Sequence, residues 1–350
     1  MSPRGARPSS SASDERAATL SQVAHEAGVS LATASRAING SPDRVVGEDL
    51  RRRVLEAAAR LDYSPDANAQ AMARGRTATI GLIVHDIADP YFSTIAAGVS
   101  AAADEEHLAV TLANTQHDPA RELAFVRTLQ QQRARAIILA GGRQDDARAN
   151  EALQAALAGY QHRGGTVALI GQPVLGVSTV RADNGRGAAA LANALLDLGY
   201  RRFGILSGPD RHLTARERLE GFIGALDAAG VTPDAVVASA FTRDGGHGAL
   251  AELRERAPEA EVVWAVNDVM ALGAMTAARE AGLSVPDDLA FAGFDDISTL
   301  RDVAPPLTTV HLPLEEMGRL ATPLALDVDG GVREVTVSGE VVVRASTPRR

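Results

Sequence analysis

Thr19–Gly40 reads T-L-S-Q-V-A-H-E-A-G-V-S-L-A-T-A-S-R-A-I-N-G. Thr19 and Gln22 stand at the spacing of a capping box, in which each side chain satisfies the other's backbone N–H and starts a helix. Leu20, Val23, Ala24 and Ala27 fall on one face of that helix. Gly28 follows where the chain must leave the helix, a place that favours positive φ. Val29 can plug the gap between two helices, and Ser30 can cap a second helix predicted to run to about Asn39. The local reading is helix, tight glycine turn, helix. A third helix is predicted over about Glu48–Leu61, with Leu50, Val54, Ala57, Ala58 and Leu61 as its buried stripe and Glu48 and Asp49 at its positive end.

Two short helices around a glycine also make an ordinary αα-hairpin, so the surrounding sequence has to decide. Residues 1–17 are rich in Ser, Pro, Gly and Arg and are expected to form a disordered tail. Residues 18–62 carry the three helices, and 63–77, an Ala-rich strip after Ser64-Pro65, reads as a hinge. From Thr79 onward the texture changes. The apolar runs Ile80–Val84, Val110–Ala113, Ala136–Ala140, Val167–Ile170, Phe203–Leu206, Val262–Val266 and Leu289–Ala292 alternate with helix-patterned stretches. That βαβ rhythm predicts α/β architecture with parallel sheets covered by helices on both faces. The stretch is long enough for two such units rather than one.

The net charge of −9 argues against nucleic acid only if it is evenly spread, and it is not. Residues 1–76 hold 11 Arg against 9 Asp and Glu, while the remainder holds 24 Arg against 35. The acidic bulk thus lies outside the small helical module. There are no cysteines, which removes disulfides, thiol catalysis and Cys-ligated zinc. No run of about 18 apolar residues predicts a membrane span, and no secretory leader pattern opens the chain, so a cytoplasmic location is expected.

Residues 19–75 resemble the DNA-binding headpiece of the lactose-repressor/purine-repressor family. The matching stretches are T-L-x-x-V-A-x-x-A-G-V-S-x-A-T-x-S-R-x-x-N-G, R-V-L-E-A-A and L-D-Y-S-P-D-A. The resemblance implies a helix-turn-helix on double-stranded DNA, its second helix entering the major groove N-terminus first. Leu31, Ala32, Thr33, Ser35, Arg36 and Asn39 are then the DNA-facing candidates. Leu31 and Ala32 can touch thymine methyls but cannot make bidentate hydrogen bonds, so readout leans on Arg36, Thr33 and Ser35. Arg36 serves phosphate equally well. Met72 matches the family's minor-groove wedge, where Leu is usual. Asp66 stands where the family often has Asn, which puts one phosphate contact in doubt.

Residues 78–350 resemble the family's effector-binding and dimerisation domain, which is similar to periplasmic sugar-binding proteins: two Rossmann-like subdomains with the ligand in the cleft between them. The expected division is an N-subdomain over about 78–180 and 310–325 and a C-subdomain over about 181–309 and 326–345. Ligands of such folds lie beyond the carboxyl ends of the strands. Tyr91 and Phe92, in the loop after Ile80–Val84, are candidates to pack on a ligand face, with core packing the alternative for Phe92. Arg216 matches the family's ligand-binding arginine, with a surface pair to Glu220 as the alternative. Asn267 and Asp295 match polar ligand contacts, Asp268 reads as a helix cap, and Phe241 aligns loosely with an aromatic that stacks on the ligand.

These residues suit a sugar, with hydrogen-bonding groups for hydroxyls and a ring for the C–H face; a purine or another metabolite is the alternative. The resemblance further implies a homodimer on a pseudo-palindromic operator, acting by family habit as a repressor. No leucine heptads follow the domain, so no tetramer-forming helix is expected. A transport protein would lack use for the headpiece. An enzyme would need reactive constellations, and no G-x-x-x-x-G-K-[ST], G-x-S-x-G or H-E-x-x-H is present. The eight His are scattered along the chain, and no cofactor or metal is expected.

Overall fold

The computed structural model describes residues 18–39, 46–64 and 75–350. The tail, the hinge positions Asp66 to Ala73 and the wedge candidate Met72 lie outside the described residues. The chain divides into two compact units, Met1–Thr77 and Ala78–Arg350.

The first unit holds α1 (Leu20–Glu26), α2 (Leu31–Asn39) and α3 (Glu48–Arg60). The capping box is formed: Gln22 N donates to Thr19 Oγ1 at 3.4 Å, and Thr19 N donates to Gln22 Oε1 at 2.7 Å. Thr33 N donates to Ser30 Oγ at 3.1 Å, which starts α2. Gly28 adopts φ +63°, and an added Cβ would stand 3.1 Å from Arg53 Nη2. That same nitrogen donates to Ala27 O at 2.6 Å, pinning the turn to α3. The core is Val23, Ala24, Ala27, Ala34, Ala37, Val54, Ala57 and Ala58. Leu50 is not part of it: the side chain is 37% exposed, one of the outward positions of α3. Gly28→Val forces a β-branched residue into left-handed backbone against Arg53, at about 1–3 kcal/mol. Amide hydrogen exchange of the full chain should then speed up through α1–α3 and stay unchanged in the second unit.

The second unit contains β1 (Thr79–Val84), α4 (Pro90–Glu105), β2 (Ala109–Asn114), α5 (Pro119–Gln131), β3 (Ala136–Ala140), α6 (Ala147–His162), β4 (Thr166–Ile170) and β5 (Ser178–Ala182). It continues with α7 (Asn184–Asp197), β6 (Phe203–Ser207), α8 (Leu213–Ala228), β7 (Ala235–Ala238), α9 (Arg243–Arg256), β8 (Val262–Ala265), α10 (Asp268–Glu280) and β9 (Ala290–Ala292). A 3₁₀ turn at Ser298–Asp302 precedes β10 (Thr309–His311), α11 (Leu314–Leu326), β11 (Glu334–Val337) and β12 (Glu340–Val342).

Two parallel sheets result, in the orders β11-β5-β4-β3-β1-β2 and β7-β6-β8-β9. The runs read as strands form these sheets, and all are buried except Val110–Ala113 on the largely exposed edge strand β2; β3 reads A-I-I-L-A and is buried throughout. Continuous apolar runs are what a strand covered on both faces requires. Trp264 of β8 is fully buried and stacks on Phe222 of α8 with ring centroids 3.9 Å apart.

The chain passes between subdomains three times, after β5, through β10, and through β12, which pairs antiparallel with β10. The assignment of 326–345 to the C-subdomain needs correction. β11 pairs parallel with β5 and forms the edge of the first sheet, so the chain turns back only after Val337. This strand, E-V-T-V, is half exposed and carries no apolar run to mark it.

Candidate effector cleft

A narrow cavity of about 20 Å³ opens at the carboxyl ends of both sheets. Its lining joins β1's loop (His85, Asp89, Tyr91, Phe92) to the loops after β6, β7, β8 and β9 (His212, Phe241, Asn267, Asp295) and to Arg218 of α8. Five of the six residues expected to bind an effector meet here: Tyr91, Phe92, Phe241, Asn267 and Asp295. Arg216 does not. It is an exposed residue whose Nη1 pairs with Asp145 at 2.9 Å. Arg218, two residues along, takes the place expected for it.

Arg218 is buried and held on four sides. Nε donates to Asn184 Oδ1 at 2.9 Å, Nη1 to Val266 O at 2.7 Å, and Nη2 to Asp295 Oδ1 at 2.7 Å, while the guanidinium lies 4.0 Å over the Phe294 ring. Three of its five N–H groups are used, leaving two for the cavity. Asp295 adopts φ +120° and is tied to the crossing segment, donating from its N–H to Val310 O and accepting from Leu312 N. Burial pushes the Asp295 carboxyl up to about 8, although Arg218 pulls the other way. Burial also raises Asp89 to about 6, and it moves the Tyr91 phenol up.

The cap expected of Asp268 is made by Asn267. Asn267 is the cap of α10, its Oδ1 accepting from Met270 N at 3.0 Å, and it still lines the cavity. Asp268 is fully buried in the first turn; it accepts from Ile297 N at 3.0 Å and from Thr309 Oγ1 at 2.7 Å. It therefore fastens the loop after β9 to the crossing strand β10. Tyr91 and Phe92 meet edge to face with centroids 5.0 Å apart, and Phe92 is buried.

The wall beside Phe92 contains groups the sequence reading passed over. His85, His117 and His212 come together, each offering a ring nitrogen within 4.8 Å of the others. His212 also stacks on Phe241, with centroids 4.5 Å apart and planes 17° apart. Burial lowers all three imidazoles: His85 well below the usual range, His212 to about 3, and His117 in the same direction. Unfolded, His212 takes a proton near pH 6.5, but folded it does not until about pH 3. The unfolded state thus binds more protons between these values, and stability falls as pH falls from 6.5 toward 3. His212→Asn, which keeps a cap acceptor, should remove up to about 1.4 kcal/mol per pH unit of that loss. Urea midpoints from pH 6.5 to 4 would check it against the unaltered chain.

A clasp closes the same wall. Arg143 and Glu122 form a buried bidentate pair, Nη1 to Oε1 at 2.7 Å and Nη2 to Oε2 at 2.8 Å. The Arg143 backbone accepts from Leu213 N and donates to Gln172 Oε1, while Gln172 Nε2 donates to Thr214 Oγ1 at 2.9 Å. The loop after β3 is thereby bonded to the start of α8 across the cleft.

In the first unit, Leu31 (54% exposed) and Ala32 are exposed at the start of α2, and Thr33, Ser35, Arg36 and Asn39 are half-buried. Arg36 Nε donates to Ala32 O at 2.9 Å, and Asn39 Nδ2 to Ser35 Oγ at 3.3 Å, so both side chains lie along their own helix. Thr33 Oγ1 is 2.8 Å from Ser30 Oγ.

A helix-turn-helix module and a two-lobed α/β ligand domain on one chain define a DNA-binding transcription regulator. Residues 19–66 match the model described as bacterial regulatory proteins, lacI family, and residues 192–347 match the periplasmic binding protein-like domain. The chain is 34% identical over 331 residues to the HTH-type transcriptional regulator GalS of Salmonella typhimurium, covering 91% of this chain and 92% of that one. Among solved structures it is similar to the lac repressor dimer bound to operator and the anti-inducer ONPF, with TM-score 0.83 and 25% identity over 95% of this chain and all of that one. It is also similar to the transcriptional regulator CelR–cellobiose complex, with TM-score 0.69 and 31% identity over 94% and 99% of the two chains. The chain belongs to the lacI family of bacterial regulatory proteins. It is a regulator and not an enzyme, as its relatives are. Among the described residues, no helix is long and apolar enough to cross a membrane.

Proposed function

We propose that this regulator is a repressor, working as a homodimer on a pseudo-palindromic operator, and that a sugar bound in the cleft controls its DNA affinity. The observation that carries the sugar reading is the Arg218–Asp295 pair at the cavity wall. Arg218 keeps two unused N–H donors, Asp295 offers its second carboxyl oxygen, and Asn267 adds an amide. Donors and acceptors side by side suit vicinal hydroxyls, and Tyr91 with Phe92 supplies apolar surface for C–H faces. The cellobiose complex among the similar structures supports the same class of ligand.

Asp295 and Asp268 both grip the crossing segment through Val310, Leu312 and Thr309. A ligand that draws on Asp295 therefore acts on the strand joining the two subdomains. Their closure and rotation shift with occupancy, and the hinge at 63–77 passes that shift to the headpiece. Leu31, Ala32, Thr33, Ser35, Arg36 and Asn39 read the major groove, and Met72 wedges the central step.

The test is thermal stability of the full chain against sugars, sugar phosphates and purines. A ligand at about a hundred times its Kd adds about 2.7 kcal/mol. A single sugar that stabilises the chain and changes retention of operator DNA is the expected result. A purine that does so instead would overturn the sugar assignment.

A further inference from the structure

We propose that the cleft holds one divalent transition-metal ion of the zinc class on His85, His117 and His212, with an open position facing Arg218 and Asp295. This rests on the reading of the cleft as the effector site and adds a cation to it. Three observations carry it. The first is convergence: the histidines come from the loops after β1, β2 and β6, and their nitrogens lie within 4.8 Å of one another. Tetrahedral ligands at zinc–nitrogen distances of 2.0–2.1 Å are about 3.3 Å apart, so modest ring rotations close the site.

The second is unmet hydrogen bonding. Among the described residues, five buried side-chain polar atoms have no partner, and three of them sit here: His85 Nδ1, Thr115 Oγ1 and Arg143 Nε. Such atoms inside a fold call for a water or an ion. His85 is itself nine-tenths buried and lines the cavity. The third is room made by backbone. A Cβ on Gly141 would stand 2.6 Å from the His85 ring, and one on Gly142 would stand 2.7 Å from His212 Cε1 and 2.2 Å from Thr214 Oγ1. His117 and Gln116 hold φ of 60° and 53°, left-handed backbone that costs about 1–3 kcal/mol per residue and sets His117 against the cavity.

The surrounding charge permits a cation. Arg143 is countered by the buried Glu122 carboxylate, Arg218 is paired with the Asp295 carboxyl, and Asp86 and Asp89 belong to the same loop as His85. His212 Nδ1 accepts only a long bond from Ala215 N, 3.4 Å, so giving that contact up to bind a metal costs little. Three imidazoles with an open fourth position leave space for a water or for an effector hydroxyl.

The experiment titrates the purified full chain, stripped with chelator, with Co²⁺ and Zn²⁺. It follows the Co²⁺ d–d absorption and the thermal stabilisation by Zn²⁺, and repeats both with His117→Gln, His212→Asn and the exposed control His107→Ala. One tetrahedral Co²⁺ per chain is expected, displaced by Zn²⁺. His117→Gln and His212→Asn should each weaken binding by about a hundredfold, with His107→Ala unchanged. His117→Gln alters a half-buried ring and decides the matter even where His212→Asn folds poorly. Absence of stoichiometric Co²⁺ binding, or equal binding by His117→Gln, would overturn the proposal. Sugar stabilisation of the same metal-free sample separates the two readings. A sugar response without metal binding overturns the cation alone, and metal binding without any sugar response leaves the cation standing and removes the sugar.

Discussion

Arg218→Met is expected to destabilise the second unit by about 3–5 kcal/mol and to abolish stabilisation by any effector, while Arg216→Met leaves both nearly unchanged. The two arginines stand on the same helix two residues apart. Arg216 is exposed and pairs with Asp145 at the surface, where solvent screens the pair. Arg218 is buried with three hydrogen bonds and a ring beneath it. Without it, Val266 O and Asn184 Oδ1 lose a donor, and the buried Asp295 carboxyl loses its counter-charge. Asp295, already raised to about 8, would respond by holding its proton more tightly. The loss should therefore grow as pH rises and Asp295 is forced to ionise. Urea midpoints at pH 6 and pH 9 measure this; equal losses for the two arginine variants would mean that Arg218 is not the centre of the cleft.

Glu122→Ala is expected to cost a similar 3–5 kcal/mol, for a reason with no pH escape. Arg143 cannot shed its proton as Asp295 can take one up, so its charge stays buried without a carboxylate. Its Nε already lacks a partner. The double change Glu122→Ala, Arg143→Met removes the stranded charge and should recover much of the loss. That recovery is the diagnostic of a buried pair rather than of a cavity, because a cavity left by Glu122 would persist in the double variant. Both residues line a second cavity that shares His85, His117 and Gly142 with the cleft, so recovery of stability need not restore effector binding.

The headpiece was legible because its signals are local. A capping box four residues long, a glycine at the turn and apolar residues at helical spacing act within one or two turns of chain. The structure reproduces them down to the Gly28 φ and the Thr19–Gln22 bonds. Leu50 is the exception: a leucine on the edge of an apolar stripe is placed by what packs opposite, and among the described residues it stays outside the headpiece core. The buried strands were equally legible, since a sheet covered on both faces needs unbroken apolar runs. The half-exposed edge strand β11 was not, because its pairing with β5 is made by backbone groups that every residue carries alike.

The sequence by itself determined a helix-turn-helix followed by two parallel α/β layers, the family that combination belongs to, and five residues of the cleft. Only the tertiary structure decided which arginine enters that cleft, because residues two apart on a helix point nearly opposite ways and the choice depends on what faces them. It alone showed that Asn267 caps while Asp268 clamps the crossing strand, since that clamp reaches Thr309 on a distant segment. It alone brought His85, His117 and His212 together. Each follows a different strand, and parallel strands deliver the loops at their carboxyl ends to one edge of the sheet however far apart they are in the chain.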